Sequence, residues 1–338
     1  MNRKLTEMVM KMANNKKTAN IKDVAALAGV SVATISRYLN GELDRMSQKT
    51  AQRVHDAVEK LNYVPNSVAR QMKTNTSKMI AVIVSNIDDY FSTELFKGIS
   101  SILESKGYIG VLFDADSDDE REKKLLGTIG SQLFDGLIIQ PGNNPQTISE
   151  ALRRSMPIVT VDREIDNSPW PQIITNNYQI ARSVSQHFAE AGIDRVIVLT
   201  SAIKEARTRE ERYRGITAEF KKVTVVEISE TATNHNAVAR QLTKLVNDSD
   251  GKTLIFCLKE RWFLEFIPEL VFEGIIDGER VTVTGFADTD YARRLEPRLK
   301  LISQNPYLMG GSAAEVMLDW LSGADRSIRR IVIPAKLN

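Results

Sequence analysis

The stretch that decides the fold of the N-terminal segment is IKDVAALAGVSVATISRYLNG, residues 21–41. Apolar residues recur at helical spacing as far as Ala28, and Gly29 then supplies the turn that commonly ends a helix. Ser31 is a good N-cap for a second helix over residues 32–39, whose inner face carries isoleucine and leucine. Two short helices joined by a tight glycine turn predict a helix-turn-helix unit.

A third helical pattern begins at Ser47 and completes a small all-α head, residues 19–62. Residues 1–75 carry 13 Lys and Arg against six Asp and Glu, whereas the remaining residues carry 32 against 37. A basic segment on a mildly acidic body indicates that only this segment meets a polyanion such as double-stranded DNA. A basic tail without a partner is the alternative.

The second helix is expected to lie in the DNA major groove, because the second helix of such a unit presents its first turn to base edges. Arg37 can form a bidentate contact with guanine, and Val32 and Ala33 can touch thymine methyl groups. Arg37 could equally be an ordinary surface arginine, and Ser31 could be a helix cap alone. The residues predicted to bind DNA from this helix and its ends are Ser31, Val32, Ala33, Thr34, Ser36, Arg37 and Asn40.

Residues 63–78 are interpreted as a hinge and linker between the head and the body. Pro65 disfavours helix immediately before it, and either Asn66 or Ser67 could cap a short helix over residues 67–73. Asn66 is also predicted to contact DNA. A helix of this length is too short to be stable alone, so we expect it to form only on DNA, paired with a second copy. Residues 1–18 precede anything that this pattern needs and are expected to be a disordered arm.

The body, residues 79–338, alternates short apolar runs with helical patterns. Runs such as MIAVIVSN and TLIFCLK are rich in β-branched residues and predict parallel strands buried on both faces. The predicted fold class is therefore α/β, with two doubly wound parallel-sheet halves. This organisation is typical of the periplasmic-binding-protein architecture, in which a ligand binds in the cleft between the halves. We expect the first half to span about 79–162 with 291–322, and the second about 163–290 with 323–338.

The sequence disfavours several function classes. The three histidines are scattered without metal-ligand spacing, and there is no P-loop, dinucleotide fingerprint or nucleophile elbow. We therefore expect no enzyme activity, no cofactor and no metal. No apolar run is long enough to cross a membrane, no signal sequence is present, and the single Cys257 excludes an internal disulfide. These features predict a cytoplasmic protein with no membrane partner.

The head resembles that of the lactose-repressor family of bacterial transcription regulators. The matching segments are IKDVAALAGVSVATISRYLNG, SQKTAQRV and LNYVPNSVARQMK, in the family's order and spacing, and a weaker match continues to about residue 335. The resemblance implies a homodimer on a near-palindromic operator, with repression relieved or enforced by a small ligand. It also implies that Met72, where the family carries leucine, wedges into the minor groove, although Met72 could instead only pack the paired hinge helices.

Candidate effector-binding residues follow the predicted strands, because ligands of open α/β sheets bind at the carboxyl ends of strands. The resemblance implies that Arg212, three residues before a glycine, binds the effector, and Arg209 lies one turn earlier on the same face. The resemblance also implies a pocket role for Gln304. The predicted effector-binding residues are Tyr90, Phe91, Ser92, Gln140, Asp162, Arg163, Arg209, Arg212, Lys259, Ala287 and Gln304.

The charge at two of these positions departs from the family pattern. The family usually carries Asn-Asp around the positions of Lys259 and Glu260, and many of its sugar-responsive members carry an acid at the position of Ala287. The loss of one carboxylate and the gain of one ammonium favour an anionic effector, most simply a sugar acid such as a ketodeoxygluconate or uronate derivative. Lys259 could instead point outward and pair with Glu260 or Asp290. Asp288 is expected to support its loop, and Glu260 to lie at the surface or in an interface.

The function favoured by the sequence is a DNA-binding repressor of a carbohydrate catabolism operon, released from its operator by a small anionic effector. A regulator that responds to a neutral sugar, or that uses its ligand as a co-repressor, stays open. A sugar-binding transport protein is a more distant alternative, because it would share the body but has no use for the head.

Overall fold

A computed structural model of the chain describes residues 19–64, 76–248, 251–295, 299–323 and 330–338. The predicted N-terminal arm and most of the predicted hinge, including Asn66 and Met72, lie outside these described residues. The chain forms two compact units, Met1–Thr76 and Ser77–Asn338, so the division falls inside the segment interpreted as a hinge and linker.

The head contains the predicted helix-turn-helix and a third helix. The helices are α1 Ile21–Ala28, α2 Val32–Leu39 and α3 Gln48–Lys60, with N-caps Asn20, Ser31 and Ser47. Gly29 ends α1 with a φ of 63°, a left-handed conformation that glycine adopts without steric cost. Val24, Ile35 and Val54, one from each helix, are fully buried, and their burial holds the three helices together.

The body is built from strands and helices that alternate along the chain. The strands are β1 Met79–Val84, β2 Ile109–Asp114, β3 Gly136–Ile139, β4 Ile158–Asp162, β5 Gln172–Thr175, β6 Arg195–Thr200, β7 Val223–Glu227, β8 Thr253–Cys257, β9 Val281–Gly285, β10 Ile302–Ser303, β11 Arg330–Ile333 and β12 Lys336–Leu337. The helices are α4 Tyr90–Ser105, α5 Asp119–Ser131, α6 Pro145–Leu152, α7 Asn177–Glu190, α8 Arg207–Glu219, α9 His235–Asn247, α10 Glu260–Phe272, α11 Asp290–Leu295 and α12 Pro306–Ser322.

The strands form two parallel sheets, which define lobe 1 and lobe 2. Lobe 1 contains the sheet β11-β5-β4-β3-β1-β2, and lobe 2 contains the sheet β7-β6-β8-β9. The short strands β10 and β12 form an antiparallel pair, and Ile302 of β10 bridges to Phe286 beside β9, which attaches this pair to lobe 2. The predicted α/β body with two parallel-sheet halves is confirmed.

The structure corrects the predicted boundaries between the halves. Strand β5 pairs with β4 in lobe 1, and β11 pairs with β5 in the same sheet, so both lie in the first half rather than the second. Conversely, Ala292 of α11 is buried in the core of lobe 2 rather than lobe 1. An apolar run indicates a strand but not its pairing partner, which explains the error. The chain crosses between the lobes near Asn176, Gln304 and Ala335.

Helices α4 and α12 of lobe 1 approach each other closely. A Cβ on Gly98 would lie 2.0 Å from the carbonyl oxygen of Tyr307, and a Cβ on Gly310 would lie 2.0 Å from that of Leu95. Both glycines therefore permit a backbone contact that any side chain would block. The next residue along α12, Gly311, would meet its nearest atom at 3.6 Å, which is ordinary van der Waals distance.

We expect Gly310→Ala to lower the free energy of unfolding by about 1–3 kcal/mol, because the added methyl forces two backbones apart. Gly311→Ala, one residue along the same helix, is the matched control and should leave stability unchanged or raise it by up to about 1 kcal/mol, because alanine is the better helix former. Urea denaturation followed by circular dichroism measures both variants. Equal effects of the two substitutions would contradict the close packing of α4 and α12.

Candidate functional site

Helix α2 of the head exposes the face opposite its buried Ile35. The residues predicted to bind DNA lie on the remaining surface: Val32, Ala33 and Arg37 are exposed, Thr34 and Ser36 are half-buried, and Ser31 and Asn40 are exposed at the two ends. Ser31 Oγ accepts the backbone N–H of Thr34 at 3.2 Å, so Ser31 caps the helix. The buried face is used for packing, and the predicted DNA-binding residues remain accessible to a partner.

A polar cavity opens in the body where strands of both lobes end. Lobe 1 contributes residues that follow β1, β3 and β4, and lobe 2 contributes residues of α8, the end of β8 and the loop after β9. This is the edge at which open α/β sheets bind ligands. The predicted residues that line the cavity are Phe91, Gln140, Asp162, Arg163, Arg209, Arg212, Lys259 and Gln304.

Tyr90 and Ser92 do not line the cavity, although they flank Phe91, which does. All three begin α4, and successive residues of a helix point about 100° apart, so one of them faces the cavity and its neighbours do not. Tyr90 is 43% exposed, and its ring centroid lies 6.4 Å from that of Tyr291 in lobe 2. Ser92 is buried inside lobe 1.

Ala287 is also placed away from the cavity. It is buried in the apolar core of lobe 2, whereas its neighbours Phe286 and Asp288 line the cavity. Alternation of side chains along an extended segment explains this arrangement. The expectation that Ala287 makes room for an anionic ligand is therefore wrong, because this position faces the core.

Seven lining residues are absent from the sequence prediction: Ser85, Asp89, Ala206, Thr208, Glu260, Phe286 and Asp288. Ser85 directly follows β1, so the strand-end rule that found Gln140 could have found it. Asp89 is the N-cap of α4 and accepts the backbone N–H of Phe91 at 3.2 Å, a role that its position before a helix indicates. No pattern in the sequence marks Thr208.

The carboxylates of Glu260, which is buried, and Asp288, which is half-buried, hold the loop after β9 in place. Glu260 accepts the backbone N–H groups of Asp288 at 3.0 Å and Thr289 at 2.9 Å. Asp288 accepts those of Gln304 and Asn305, each at 3.0 Å, and so supports the loop as the sequence predicted. Glu260 is buried rather than at the surface, and this burial raises its pKa although the hydrogen bonds from Thr289 and Asp288 oppose the shift.

Arg212 is 5% exposed and is held by neutral groups. Its Nε donates to Asn177 Oδ1 at 2.7 Å, and its Nη1 donates to the carbonyl oxygen of Leu258. The guanidinium lies over the ring of Phe286, with Cζ 3.7 Å from the centroid. Burial lowers the pKa of Arg212 to about 10, although Asp162 opposes the shift. Within the described part of the chain, Arg212 forms no ion pair.

Asp162 lies opposite these groups at the end of β4, with a φ of 65°. Its Oδ2 accepts from Gln140 Nε2 at 2.7 Å, and Gln140 Oε1 accepts the N–H of Ser85 at 2.9 Å. The other oxygen, Oδ1, is buried without a hydrogen-bond partner among the described residues. Burial raises the pKa of Asp162, and Arg212 and the Gln140 hydrogen bond only partly oppose this.

Two further arginines border the cavity. Arg163 donates to Ser85 Oγ at 2.6 Å and to the carbonyl oxygen of Pro141 at 3.4 Å, and it pairs with no carboxylate of a described residue. Arg209 is 6% exposed, and its Nη1 lies 3.5 Å from Glu230 Oε1. Burial lowers the pKa of Arg209, and the nearby charge of Arg163 adds to the effect.

Lys259 faces the cavity, so the alternative in which it points outward and pairs with Glu260 or Asp290 is wrong. Its Nζ donates to both oxygens of Glu230, at 2.9 and 3.1 Å, and lies 3.4 Å from Asp89 Oδ2. Because Asp89 belongs to lobe 1 and Lys259 to lobe 2, the second contact joins the lobes beside the cavity. The ammonium group is already balanced by two carboxylates.

Two family models match the chain. Residues 20–66 match the bacterial regulatory proteins of the lacI family, and residues 80–325 match a periplasmic binding protein domain. The helix-turn-helix head matches the first model, and the two-lobed body with its polar cavity matches the second. Together they define a DNA-binding transcriptional regulator with a ligand-binding body.

Similar proteins span nearly the whole chain. The HTH-type transcriptional regulator KdgR of Bacillus subtilis (strain 168) is 27% identical over 323 residues, which cover 94% of this chain and 95% of that protein. The HTH-type transcriptional repressor PurR of Aliivibrio fischeri (strain MJ11) is 27% identical over 321 residues, covering 92% and 94%.

Solved structures share the fold. A LacI transcriptional regulator from Lactobacillus brevis is 58% identical and has a TM-score of 0.74, covering 77% of this chain and 99% of that one. The lac repressor dimer bound to operator is 23% identical, with a TM-score of 0.80, covering 95% and 98%. The chain belongs to the lacI family of bacterial regulatory proteins. It is a transcriptional regulator and not an enzyme, and none of its described helices is long and apolar enough to span a membrane.

Arg37 is exposed on α2, so its contribution to sequence-specific DNA binding can be tested by substitution. DNA sites are selected from a random library with the wild-type protein, and binding to selected and unrelated DNA is compared at fixed salt. We expect Arg37→Ala to reduce the discrimination between the two by about 1–3 kcal/mol, because a base contact is lost. Lys60→Ala, at the exposed end of α3, removes the same charge and should weaken both complexes alike. If Arg37→Ala discriminated between selected and unrelated DNA as well as the wild type does, Arg37 would not contact a base.

Because Asp162 is buried, we predict that the difference in stability between Asp162→Asn and the wild type depends on pH. Its raised pKa means that the folded protein retains this proton to a higher pH than the unfolded chain, so its contribution to stability falls as the pH rises above about 3.9. Asparagine cannot ionise and tolerates the positive φ. The Tm of Asp162→Asn relative to wild type should therefore increase from pH 4 to pH 7, to a gain of about 2–4 °C in calorimetry. A gain that shrinks with rising pH would contradict the assignment.

Proposed function

We propose that the chain is a repressor of carbohydrate catabolism genes, and that a sugar acid bound in the cavity between the lobes releases it from its operator. The observation that carries the proposal is that Arg163 and Arg212, both on the cavity lining, hydrogen-bond only to neutral groups among the described residues. Arg212 is buried and Arg163 is half-buried. A cation that is wholly or partly removed from water without a carboxylate partner favours an incoming anion. The planar guanidinium of Arg212 suits the two oxygens of a carboxylate.

The remainder of the lining suits the hydroxyl groups of a sugar. Asp162 Oδ1 and Gln304 Nε2 are buried and lack hydrogen-bond partners among the described residues. One can accept and the other can donate, and a hydroxyl group does both. The aromatic rings of Phe91 and Phe286 supply apolar surface beside these polar groups. This combination of an arginine, unpaired polar atoms and aromatic surface favours a polyhydroxylated acid over an apolar ligand.

On the DNA side, the proposal is a homodimer that presents two heads to two half-sites of a near-palindromic operator. The candidate contacts are the exposed residues of α2, together with Asn66 and Met72 of the segment outside the described residues. The effector can shift operator affinity only through different contacts with the two arrangements of the lobes, and a coupling of about 1–3 kcal/mol is typical. Lys259 and Asp89 join the lobes directly and are therefore candidates for contacts that differ between those arrangements.

The effector proposal is tested by calorimetric titration of the full chain with uronates and 2-keto-3-deoxygluconate, each compared with a neutral sugar. We expect an acid to bind more tightly. Arg212→Gln should weaken its binding at least tenfold, because a charge-assisted contact is lost. Arg214→Gln is the matched control, because Arg214 lies on the same helix but is exposed, and it should bind as wild type does.

Tighter binding of the neutral sugar would overturn the acidic effector. A separate experiment decides whether the ligand releases the DNA or strengthens its binding. It is a gel shift with the DNA sites selected from the random library, in the presence and absence of the acid that binds. Release of the DNA is expected for an inducer. Strengthened DNA binding would instead identify the ligand as a co-repressor.

A further inference from the structure

Glu230 lies behind the cavity, in the loop between β7 and α9. Its side chain is 9% exposed and accepts from Lys259 Nζ at 2.9 and 3.1 Å, and Arg209 Nη1 lies 3.5 Å away. Arg261 Nη1 lies 3.9 Å from Glu230 Oε2, and Ser201 Oγ donates a hydrogen bond to Glu230 Oε1. Burial alone would raise the pKa of Glu230, but Lys259 and the other donors hold it below its usual value. Glu230 is therefore charged at neutral pH.

The position of Glu230 is fixed from behind. Ser201, which donates to Glu230, accepts the indole N–H of Trp262 at 2.9 Å. Trp262 is fully buried in the core of lobe 2, so the serine cannot move without disturbing the core. The carboxylate is therefore a permanent negative charge beside the cavity rather than a mobile surface group.

This fixed charge changes which lining cations can receive an anion. Lys259 is balanced by Glu230 and Asp89, and Arg209 has Glu230 as its ion-pair partner. The lining cations without a carboxylate partner among the described residues are then Arg163 and Arg212. Without the charge of Glu230, Arg209 would become a third.

We propose that Glu230 is a positioning residue that limits the cavity to ligands with one negative charge. It acts through Arg209 and Lys259, whose charges it balances, so that a monocarboxylate sugar acid is accepted on the remaining arginines. A phosphorylated sugar or a dicarboxylate brings a second negative charge into the field of Glu230 and is disfavoured. This inference rests on the proposed function, because it specifies the charge of the same effector.

The test uses the full chain and Glu230→Gln, which retains the size of the side chain and removes its charge. Inorganic phosphate at pH 8 is the probe, because it is mainly doubly charged there, and sodium chloride keeps the ionic strength constant. The dissociation constant is obtained from the rise of Tm with phosphate concentration. Glu230→Gln should bind phosphate at least about tenfold more tightly than wild type.

Two controls separate this effect from a general change in charge or folding. Glu269→Gln removes an exposed acid of α10 and should bind phosphate as wild type does. The double variant Glu230→Gln with Lys259→Gln restores the net charge and should bind phosphate more weakly than Glu230→Gln, because the ammonium group that lost Glu230 is removed and Arg209 alone gains anion-binding capacity. If Glu230→Gln does not fold by circular dichroism, the double variant is compared with Lys259→Gln alone, and should bind phosphate about tenfold more tightly than that single variant.

Equal phosphate binding by the Glu230 and Glu269 variants, including no detectable binding by either, overturns the inference. Wild-type binding as tight as that of Glu230→Gln also overturns it. These results are distinguishable from failure of the proposed function. A wild-type protein that prefers a neutral sugar to its acid contradicts the proposed function, whereas unchanged phosphate binding in Glu230→Gln contradicts only the role of Glu230.

Discussion

The cavity depends on one constraint: a guanidinium group that is removed from water must be compensated by the groups around it. Arg212 is compensated by an amide oxygen, a carbonyl oxygen and the ring of Phe286, and none of these carries a full negative charge. Asp162 is an acid rather than a base, and its burial favours the neutral carboxyl form. Each group stabilises the charged form of the other, yet they form no ion pair. The cavity thus retains groups that a polar ligand can satisfy.

Buried and half-buried acids keep the surrounding loops in fixed positions. The carboxylate oxygens of Glu260 and Asp288 accept hydrogen bonds from backbone N–H groups of the loops that carry Phe286 and Gln304. Glu230 accepts a hydrogen bond from Lys259. The carboxylates of lobe 2 therefore act mainly as structural anchors rather than as free ligands for a sugar. This arrangement leaves Arg163 and Arg212 as the lining cations without a carboxylate partner among the described residues. The charge of the ligand is therefore the main determinant of specificity in the proposed function.

The sequence predicted the local elements well and the charge network poorly. The second helix of the head spans residues 32–39 as predicted, because capping by Ser31 and the placement of Ile35 are local features. Strand ends located Gln140 and Asp162 for the same reason. The partners of Lys259, however, are Glu230 and Asp89, which lie 29 and 170 positions earlier in the chain. Spacing along the sequence carries no information about such contacts.

The sequence by itself determined the class of protein. The helix-turn-helix and the alternation of strands and helices can both be recognised from the spacing of apolar residues over short stretches of the chain. The sequence also located Arg163 at a strand end, although the predicted boundary assigned this residue to the wrong half. Only the tertiary structure decided the charge balance of the cavity: Ala287 faces the core, Glu260 is buried, and Lys259 is already paired. The physical reason is that the effective charge of a side chain depends on its burial and on neighbours within a few ångströms, and both are fixed only when distant segments pack together.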